Sequence, residues 1–379
     1  MSTHSTSNLS ANPSRGPLTG LKIIEFAGIG PGPFTGMMLA DMGADVILID
    51  RAADVARAAK YPRAASNRGK RSIALDLKSD ADREVVWTLL ESADALIEGF
   101  RPGVMERLGF GPDAVAARNP KLVYGRVTGW GQTGPLAQAA GHDINYVALT
   151  GVLSTSARPG QAPVIPPTIV GDMAGGAMFL AFGLVSALLE AQKSGLGQVV
   201  DAAMIDGVTA MSGLMHQMRS NGSWVDQVEH NFFSNASPFY EVFECSDGHY
   251  ISLGAIEPQF YAQLLKLLKL DDVDPALQYD TRTWPQLKQR MAATIQQKTR
   301  AEWQILLEGT DVCFAPVLSL TEAAEHPHNK SRALFVNVNG QQQPAPAPRF
   351  SRSMLREPSP GALCGEHTQE VLAELGIRR

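Results

Sequence analysis

The sequence predicts an α/β protein with a large, doubly wound, mostly parallel Rossmann-like domain and a smaller α+β domain. In the first half of the chain, short runs of branched apolar residues alternate with segments of helical period. Those runs are continuously apolar, which is typical of strands covered on both faces. The length of 379 residues exceeds the usual size of one domain, so a second domain is expected.

The first half of the chain supplies the parallel sheet. Strands are predicted at residues 21–27, 44–50, 72–77, 95–99 and 121–128, with helices at 34–42 and 83–93 between them. A long apolar helix follows at 172–192 and ends at Gly195 and Gly197. A strand at 198–206 and a helix at 207–220 complete this half.

The second half predicts the smaller domain. Residues 221–237 are polar and turn-rich, which is typical of a linker. Residues 239–255 predict a β-hairpin that turns at Asp247-Gly248. Helices at 258–269, 284–298 and 300–309, a strand at 313–319 and an extended Pro-rich segment at 341–350 follow. A last helix lies within 365–377, with Thr368 as its expected cap.

Composition excludes several classes of function. A net charge of −5 and a pI near 5.9 argue against a nucleic-acid-binding surface. The three cysteines are widely spaced and form no CxxC pair, which excludes a disulfide framework or zinc cluster and suits a reducing cytosol. Residues 1–16 lack an apolar signal core and predict a disordered start, so we expect a cytoplasmic protein. The uncharged run 173–189 is short for a membrane span, so a buried helix without membrane insertion is expected.

The turn AGIGPGPFTG at residues 27–36 lies between a strand and a helix, where a dinucleotide-binding turn would lie. The GxGxxG spacing is not matched in either register. Pro31 and Pro33 also remove N–H groups that would bind a pyrophosphate. A dehydrogenase is therefore disfavoured, and a tight strand-to-helix turn is the simpler interpretation.

Basic residues collect on loops at Arg51, at NRGKR (67–71), at Arg101 and at Arg107. Solvated surface is the common role of such loops. Several of them follow a strand, however, and ligands of open α/β sheets bind at that edge. Phosphate groups would suit these cations.

Three side chains could carry chemistry, and each has a plain structural alternative. His142 in GHDINYVA is either structural or catalytic. Asp172 in VGDMAGG is either an N-cap or a carboxylate beside a ligand, since the small residues after it leave room. Glu257 precedes Pro258 in a strand-to-helix loop and is either an N-cap neighbour or functional.

Four methionines, Met204, Met211, Met215 and Met218, lie along one segment, the last three at helical spacing. Core packing is the common role of such a stripe. An adaptable lining for varied acyl chains is the alternative.

Taken in order, these motifs identify a family. GLKIIEFAGIGPGPFTGMMLADMGADVILIDR, NRGKRSIALDLK, EGFRPGVMERLGFGP, GHDINYVALTG, GDMAGG, SDGHYISLGAIEPQFY and GEHTQEVLAELGI run from about residue 18 to the C-terminus. The sequence thus resembles the α-methylacyl-CoA racemases of the family III CoA-transferase superfamily.

The resemblance implies a homodimer of interlocked chains, with each active site between one chain's large domain and its partner's small domain. It implies a large CoA-binding domain at 18–220, a linker at 221–237 and a small domain at 238–335. The return segment 336–379 would bring its last helix back to the large domain, and residues 1–17 would be disordered.

The resemblance also assigns roles to residues. His142, Asp172 and Glu257 would be catalytic, with Glu257 supporting the histidine. The backbone N–H of Asp143 would bind the thioester oxygen. Gly141 would be one of the CoA-binding residues, and the four methionines are the candidates for an acyl pocket. The CoA-binding residues would be Arg51, Ala74, Leu75, Asp76, Leu77, Arg101 and Arg107.

The implied reaction interconverts (2R)- and (2S)-2-methylacyl-CoA through an enolate. Racemisation needs a base on each face of the α-carbon, which an imidazole and a carboxylate can supply. No metal or separate cofactor is expected, because coenzyme A is part of the substrate. A CoA-transferase with Asp172 as nucleophile and a non-catalytic CoA-binding protein are the alternatives. The acyl group is left open.

Overall fold

The chain forms two compact units in the computed structural model, which describes residues 16–158 and 160–378. The larger unit contains residues 16–146, 167–208 and 333–378, and the smaller contains residues 147–166 and 209–332. Most of the predicted disordered start, residues 1–17, lies outside the described residues.

A six-stranded parallel sheet forms the centre of the larger unit, with the strand order β3-β2-β1-β4-β5-β6. This order is that of a doubly wound fold, so the predicted fold class is confirmed. Its strands are Lys22–Phe26 (β1), Asp45–Arg51 (β2), Lys70–Leu75 (β3), Ala95–Glu98 (β4), Val123–Thr128 (β5) and Val199–Ala203 (β6).

The described helices, in chain order, are Pro31–Asp41 (α1), Val55–Ala58 (α2), Asp80–Glu91 (α3), Val104–Arg107 (α4), Pro112–Arg118 (α5), Asp143–Leu149 (α6), Phe179–Ser194 (α7), Met204–Met211 (α8), Gly213–Ser220 (α9), Pro258–Leu267 (α10), Trp284–Ile295 (α11), Arg300–Leu307 (α12), Leu320–Glu325 (α13), Pro327–Ser331 (α14) and Thr368–Glu374 (α15). Residues Ile169–Met178 precede α7 as a π-helix, named here the π segment.

Successive residues of a strand point to opposite faces of its sheet, and both faces of this sheet are buried. Ile24 packs in a core cluster with Val85 of α3 and Val371 of α15. Ile23 packs on the other face with Leu39 of α1 and Leu180 of α7. Two covered faces explain why the strands read as continuous apolar runs.

The smaller unit contains an antiparallel sheet of order β7-β8-β9, formed by Tyr240–Glu244 (β7), Tyr250–Gly254 (β8) and Phe314–Pro316 (β9). Strands β7 and β8 form the hairpin predicted around Asp247-Gly248. Its core includes Tyr261 of α10, Met291 of α11 and Trp303 of α12. The α+β character predicted for this region is thus confirmed.

Several local predictions differ from the structure. The helix predicted at 207–220 is two helices, α8 and α9, with Ser212 between them. The segment predicted as merely extended at 341–350 begins with a strand, Gln341–Pro344 (β11), paired with Phe335–Val338 (β10). Thr368 is the first residue of α15, and His367 rather than Thr368 is its N-cap. The Thr368 hydroxyl instead accepts a bond from the backbone N–H of Ala74 at 3.1 Å.

The two units also divide the sequence differently from the predicted domains. Residues 147–166 belong to the smaller unit, which resumes at Thr209 rather than after residue 220. Arg158 forms an ion pair with Glu241 at 2.8 Å. A partner 83 residues away leaves no local signal in the sequence.

The helix over Ile169–Ser194 is long and apolar enough to cross a membrane by length and composition. Leu180, Leu184 and Leu188 of this helix nevertheless pack into the core beside the parallel sheet. The core helix of a globular domain passes the same test, as the sequence analysis expects for this segment.

Candidate active site

A cavity of about 360 Å³ opens in the larger unit where β1, β4 and β5 end. Gly30 and Pro31 follow β1, Gly99 and Arg101 follow β4, and Thr128 ends β5 along its wall. Strands β1 and β4 are neighbours from which the chain winds in opposite directions, and ligands bind doubly wound sheets at such a point.

The turn after β1 packs against Asp172. Gly30 has a φ of 72°, a left-handed conformation that favours glycine. A Cβ atom there would lie 3.3 Å from Oδ2 of Asp172. Pro31 begins α1, where its missing N–H costs no helical bond. The glycine and proline of this turn thus shape the wall beside a carboxylate.

His142 lies on the cavity wall immediately before α6, and its side chain is exposed. Its backbone N–H donates to Oδ1 of Asn145 at 3.0 Å. Behind it, the rings of Trp130 and Tyr146 pack edge to face with centroids 4.8 Å apart. The Tyr146 hydroxyl donates to the carbonyl of Gly141, which holds the residue before His142.

Asp172 lies half-buried on the same wall, within the π segment. Burial raises the pKa of its carboxyl, the negative charge of Asp143 raises the pKa further, and His142 acts in the opposite direction. Asp172 is not an N-cap, because the segment begins after Thr168. Its carboxylate is therefore free of a capping role.

Asp143, the residue after His142, is buried and contacts the backbone of Asp172. Its Oδ1 accepts bonds from the backbone N–H groups of Gly171 at 2.6 Å and Asp172 at 2.8 Å. As the first residue of α6, its own N–H has no acceptor within the helix. The role predicted for Asp143 from the sequence concerned only this N–H, so the two bonds to its side chain were not predicted.

The predicted CoA-binding arginines lie towards the carboxyl edge of the sheet. Arg51 is 74% exposed and pairs with Asp54 at 2.7 Å. Arg101 lines the cavity and Arg107 ends α4. Among the residues that the structure describes, no carboxylate forms an ion pair with Arg101 or Arg107.

The loop that carries Arg101 is fixed by a group the sequence analysis missed. Glu98, the buried last residue of β4, accepts bonds at 2.7 Å from the N–H of Phe100 and from Nε of Arg126. Arg126 also donates to Glu106 of α4 at 2.9 Å. Burial raises the pKa of Glu98. The signal available in the sequence was a glutamate at the end of an apolar strand, directly before Gly-Phe-Arg.

Residues 74–77 stand at the end of β3. Leu75 is 1% exposed and belongs to the core. Asp76 accepts the N–H of Lys78 at 3.0 Å, and its own N–H donates to Asp82 at 2.6 Å. Ala74 and Leu77 flank this turn, so the stretch is fixed by its own bonds at the carboxyl edge.

The basic motif at 67–71 lies at the opposite edge, where β3 begins, and binds carboxylates of the chain itself. Arg68 pairs with Asp41 at 2.7 Å and Lys70 with Glu25 at 2.7 Å, and both pairs are buried. Arg71 pairs with Asp45, also at 2.7 Å. Neither solvated surface nor a phosphate site describes these residues, so both interpretations of this motif were wrong.

Glu257 and three of the methionines belong to the smaller unit. Glu257 is exposed at the start of α10, and its side chain makes no capping bond. Its negative charge, after burial, raises the pKa of Tyr279 and of the Cys313 thiol. Met204 lines the cavity of the larger unit, whereas an acyl-pocket role for Met211, Met215 and Met218 stays a prediction.

Metal ligation is not evident in the described part of the chain. No group of three or more His, Cys, Asp or Glu side chains there could hold a metal ion. The three cysteines are free thiols.

Comparison with known proteins gives consistent matches over almost the whole chain. The model of CoA-transferase family III matches residues 18–368. The α-methylacyl-CoA racemase of Mus musculus is 42% identical over 367 residues, covering 95% of this chain and 93% of the mouse protein. That of Homo sapiens is 39% identical over 368 residues, covering 96% and 94%. The crystal structure of a CAIB/BAIF family protein from Brucella suis matches with a TM-score of 0.82 and 26% identity, covering 95% of this chain and 100% of that one.

Proposed function

Since this chain belongs to CoA-transferase family III, we propose that it is an isomerase that interconverts (2R)- and (2S)-2-methylacyl-CoA thioesters. One base removes the α-proton to give an enolate, and a second group returns a proton to the other face. The identity of 42% and 39% to two α-methylacyl-CoA racemases supports this choice within the family.

The observation that carries the proposal is that His142 and Asp172 line one cavity from different elements. A racemase needs two groups that exchange the roles of acid and base. Burial and the Asp143 charge raise the pKa of Asp172, which brings a carboxyl closer to the proton affinity of an imidazole. This makes the carboxyl a better partner for proton transfer at neutral pH.

The enolate oxygen requires a donor where negative charge develops. The backbone N–H of Asp143 follows His142 directly in the chain and has no acceptor within α6, while the Asp143 side chain binds the backbone of Asp172. Such a donor contributes about 3 kcal/mol in acyl-transfer enzymes. We therefore assign the thioester oxygen to this N–H.

The phosphates of coenzyme A are assigned to Arg51, Arg101 and Arg107, with residues 74–77 beside the nucleotide. Arg101 is both in the cavity wall and free of a described carboxylate partner, which suits a phosphate ligand. The acyl group would extend from the cavity over Met204.

A homodimer is part of the proposal, with Glu257 contributed to each site by the partner. An exposed apolar stripe on α7 supports it: Phe179, Phe182, Val185 and Leu189 lie three or four residues apart on one helical face, and Phe182 is 76% exposed. The oligomeric state follows from size-exclusion chromatography with light scattering.

A CoA-transferase is the second candidate, because Asp172 would then serve as the nucleophile that accepts the acyl group. The cavity beside Asp172 supplies the space for either chemistry, whereas the neighbouring glycines are closely packed: a Cβ atom at Gly175 would lie 2.7 Å from Val208, and one at Gly176 would lie 2.9 Å from Met204. The two activities differ in their need for an acceptor acid.

The deciding experiment incubates the protein with one epimer of a 2-methylacyl-CoA in deuterated buffer without any acceptor acid. A racemase yields α-deuterated thioester and both epimers by NMR and chiral chromatography. A transferase yields neither product; when a second carboxylic acid is added, it forms the CoA thioester of that acid and releases the free 2-methyl acid, and hydroxylamine traps the activated Asp172. No reaction under either condition would leave a CoA-binding protein and overturn the proposal.

A further inference from the structure

The start of the π segment is held by a side chain from elsewhere in the sequence. The residue before it, Thr168, has a φ of 60° and its hydroxyl makes no capping bond. Oδ1 of Asp143 instead accepts the N–H groups of Gly171 and Asp172, at 2.6 and 2.8 Å. We name this pair of bonds the Asp143 clamp.

The clamp is a close fit. A Cβ atom at Gly171 would lie 2.7 Å from Oδ1 of Asp143, so only glycine permits the bond at this distance. Asp143 is 6% exposed, and few water molecules can compete for the two N–H groups. A charged acceptor makes these bonds stronger than those of a neutral cap.

The clamp joins the two groups of the proposed proton transfer. Asp143 follows His142 directly in the chain, and its carboxylate binds the backbone of Asp172 itself. We infer that the Asp143 side chain is a positioning residue, which sets the location and the charged surroundings of the Asp172 carboxyl relative to His142. This inference rests on the proposed racemase function.

The effect of the Asp143 charge on the Asp172 carboxyl is testable, because few other charged groups act on that carboxyl. Asp143 and His142 act on the carboxyl of Asp172, and its charge in turn acts on Tyr146, which Arg101 also faces. Neighbouring elements keep their charged side chains in other bonds: Asp41 of α1 with Arg68, Arg126 of β5 with Glu98, and Asp201 of β6 with the N–H of Gln132. Asp143 is therefore the carboxylate whose charge Asp172 experiences.

The expected direction follows from the chemistry. Either direction of racemisation needs one proton shared between His142 and Asp172, so activity has an acidic limb governed mainly by Asp172. Asp143→Asn keeps an oxygen for both N–H groups but removes a like charge. The pKa of Asp172 should then fall, and the acidic limb of the kcat profile should move to lower pH.

The experiment compares Asp143→Asn, Asp143→Ala and the control Asp113→Asn, an exposed aspartate in the first turn of α5. Deuterium incorporation into a 2-methylacyl-CoA gives kcat and KM against pH. Amide hydrogen exchange of a peptide covering 169–178 reports the clamp without any substrate.

For Asp143→Asn we expect the shifted limb and a smaller rise in amide exchange than for Asp143→Ala, because a neutral amide oxygen still accepts both bonds but more weakly than a carboxylate. For Asp143→Ala we expect kcat to fall about 100-fold with little change in KM, because the carboxylate is displaced, and amide exchange to rise. The control should change neither.

The inference is overturned if Asp143→Ala retains kcat and amide protection, or if Asp143→Asn leaves the acidic limb in place. If Asp143→Ala does not fold, the limb of Asp143→Asn decides. If the unaltered protein exchanges no α-proton, the proposed function has failed, and amide exchange alone then establishes whether the clamp exists.

Discussion

The two edges of the parallel sheet carry the same kinds of cation and use them differently. At the edge where strands begin, Arg68 and Lys70 are buried, and each pairs with a carboxylate. At the edge where strands end, Arg101 is exposed in the cavity wall without such a partner among the described residues. A cation inside the packed layers needs an internal counter-charge, whereas one at the open edge stays hydrated and can bind a ligand.

The largest expected effect separates catalysis at the open edge from structure elsewhere. Asp172→Ala should lower α-proton exchange by about 10³-fold or more, since one of two proton-transfer groups is lost. The fold should persist, because Asp172 is half-buried and caps no helix. NMR of deuterium incorporation measures the α-proton exchange, and circular dichroism measures whether the fold persists. Asp201→Ala, at another carboxyl whose pKa is raised by burial, is the control and should stay active.

The second effect concerns the closed edge. Lys70→Met leaves Glu25 buried without its cation, which should cost about 3–5 kcal/mol of unfolding free energy in urea titrations. Adding Glu25→Gln should recover a large part of that loss, because the unpaired charge is then gone. If Lys70→Met and the double variant with Glu25→Gln had equal unfolding free energies, the unpaired charge of Glu25 would not be the cause of the lost stability.

A smaller effect is expected from Arg101→Ala. Losing a charged bond to a CoA phosphate should raise KM roughly 10-fold and leave kcat nearly unchanged. Arg118→Ala, which removes an exposed cation paired with Glu91, is the matched control. Steady-state kinetics with the acyl-CoA measure both. A change in kcat alone would place Arg101 outside the phosphate site.

The smallest expected effect is on Tm, because an ionised carboxylate in the cavity lowers the stability of the fold. The pKa of Asp172 is raised in the folded chain, so its protonated form favours folding and the ionised form at neutral pH opposes it. Asp172→Asn should therefore raise Tm at pH 7 by roughly 1–3 °C. The gain should vanish as pH falls below the ordinary carboxyl pKa. A Tm decrease at pH 7 would contradict this sign.

Much of this contrast could be predicted from the sequence, and part could not. The apolar run at 44–50 predicts β2 because period and burial are local properties. His142 and Asp172 were candidates from their motifs, and the structure brings them to one cavity. The fate of Arg68 was not predictable, because its partner Asp41 lies 27 residues away on another element.

The same reason explains the missed features of the site. The bond from Asp172 to Asp143 spans 29 residues, and the pairing of Arg126 with Glu98 spans 28. Local pattern identifies which side chains can act, but the side chains that hold them come from distant elements. Strand β11 was missed because its Pro-rich surroundings indicate an extended segment without pairing.

The outer edge of β3 is covered by the end of the chain. The backbone N–H of Ser72 donates to the imidazole Nδ1 of His367, and the His367 N–H donates to the Ser72 carbonyl. The N–H of Gly365 donates to the Ser72 hydroxyl, and the N–H of Ala74 donates to the Thr368 hydroxyl, so these partners lie some 295 residues apart. During synthesis, the outer edge of β3 therefore lacks these partners until residues 365–368 have been translated. Open strand edges invite pairing with other chains, so a chain that terminates before residue 365 should aggregate more readily than the longer one.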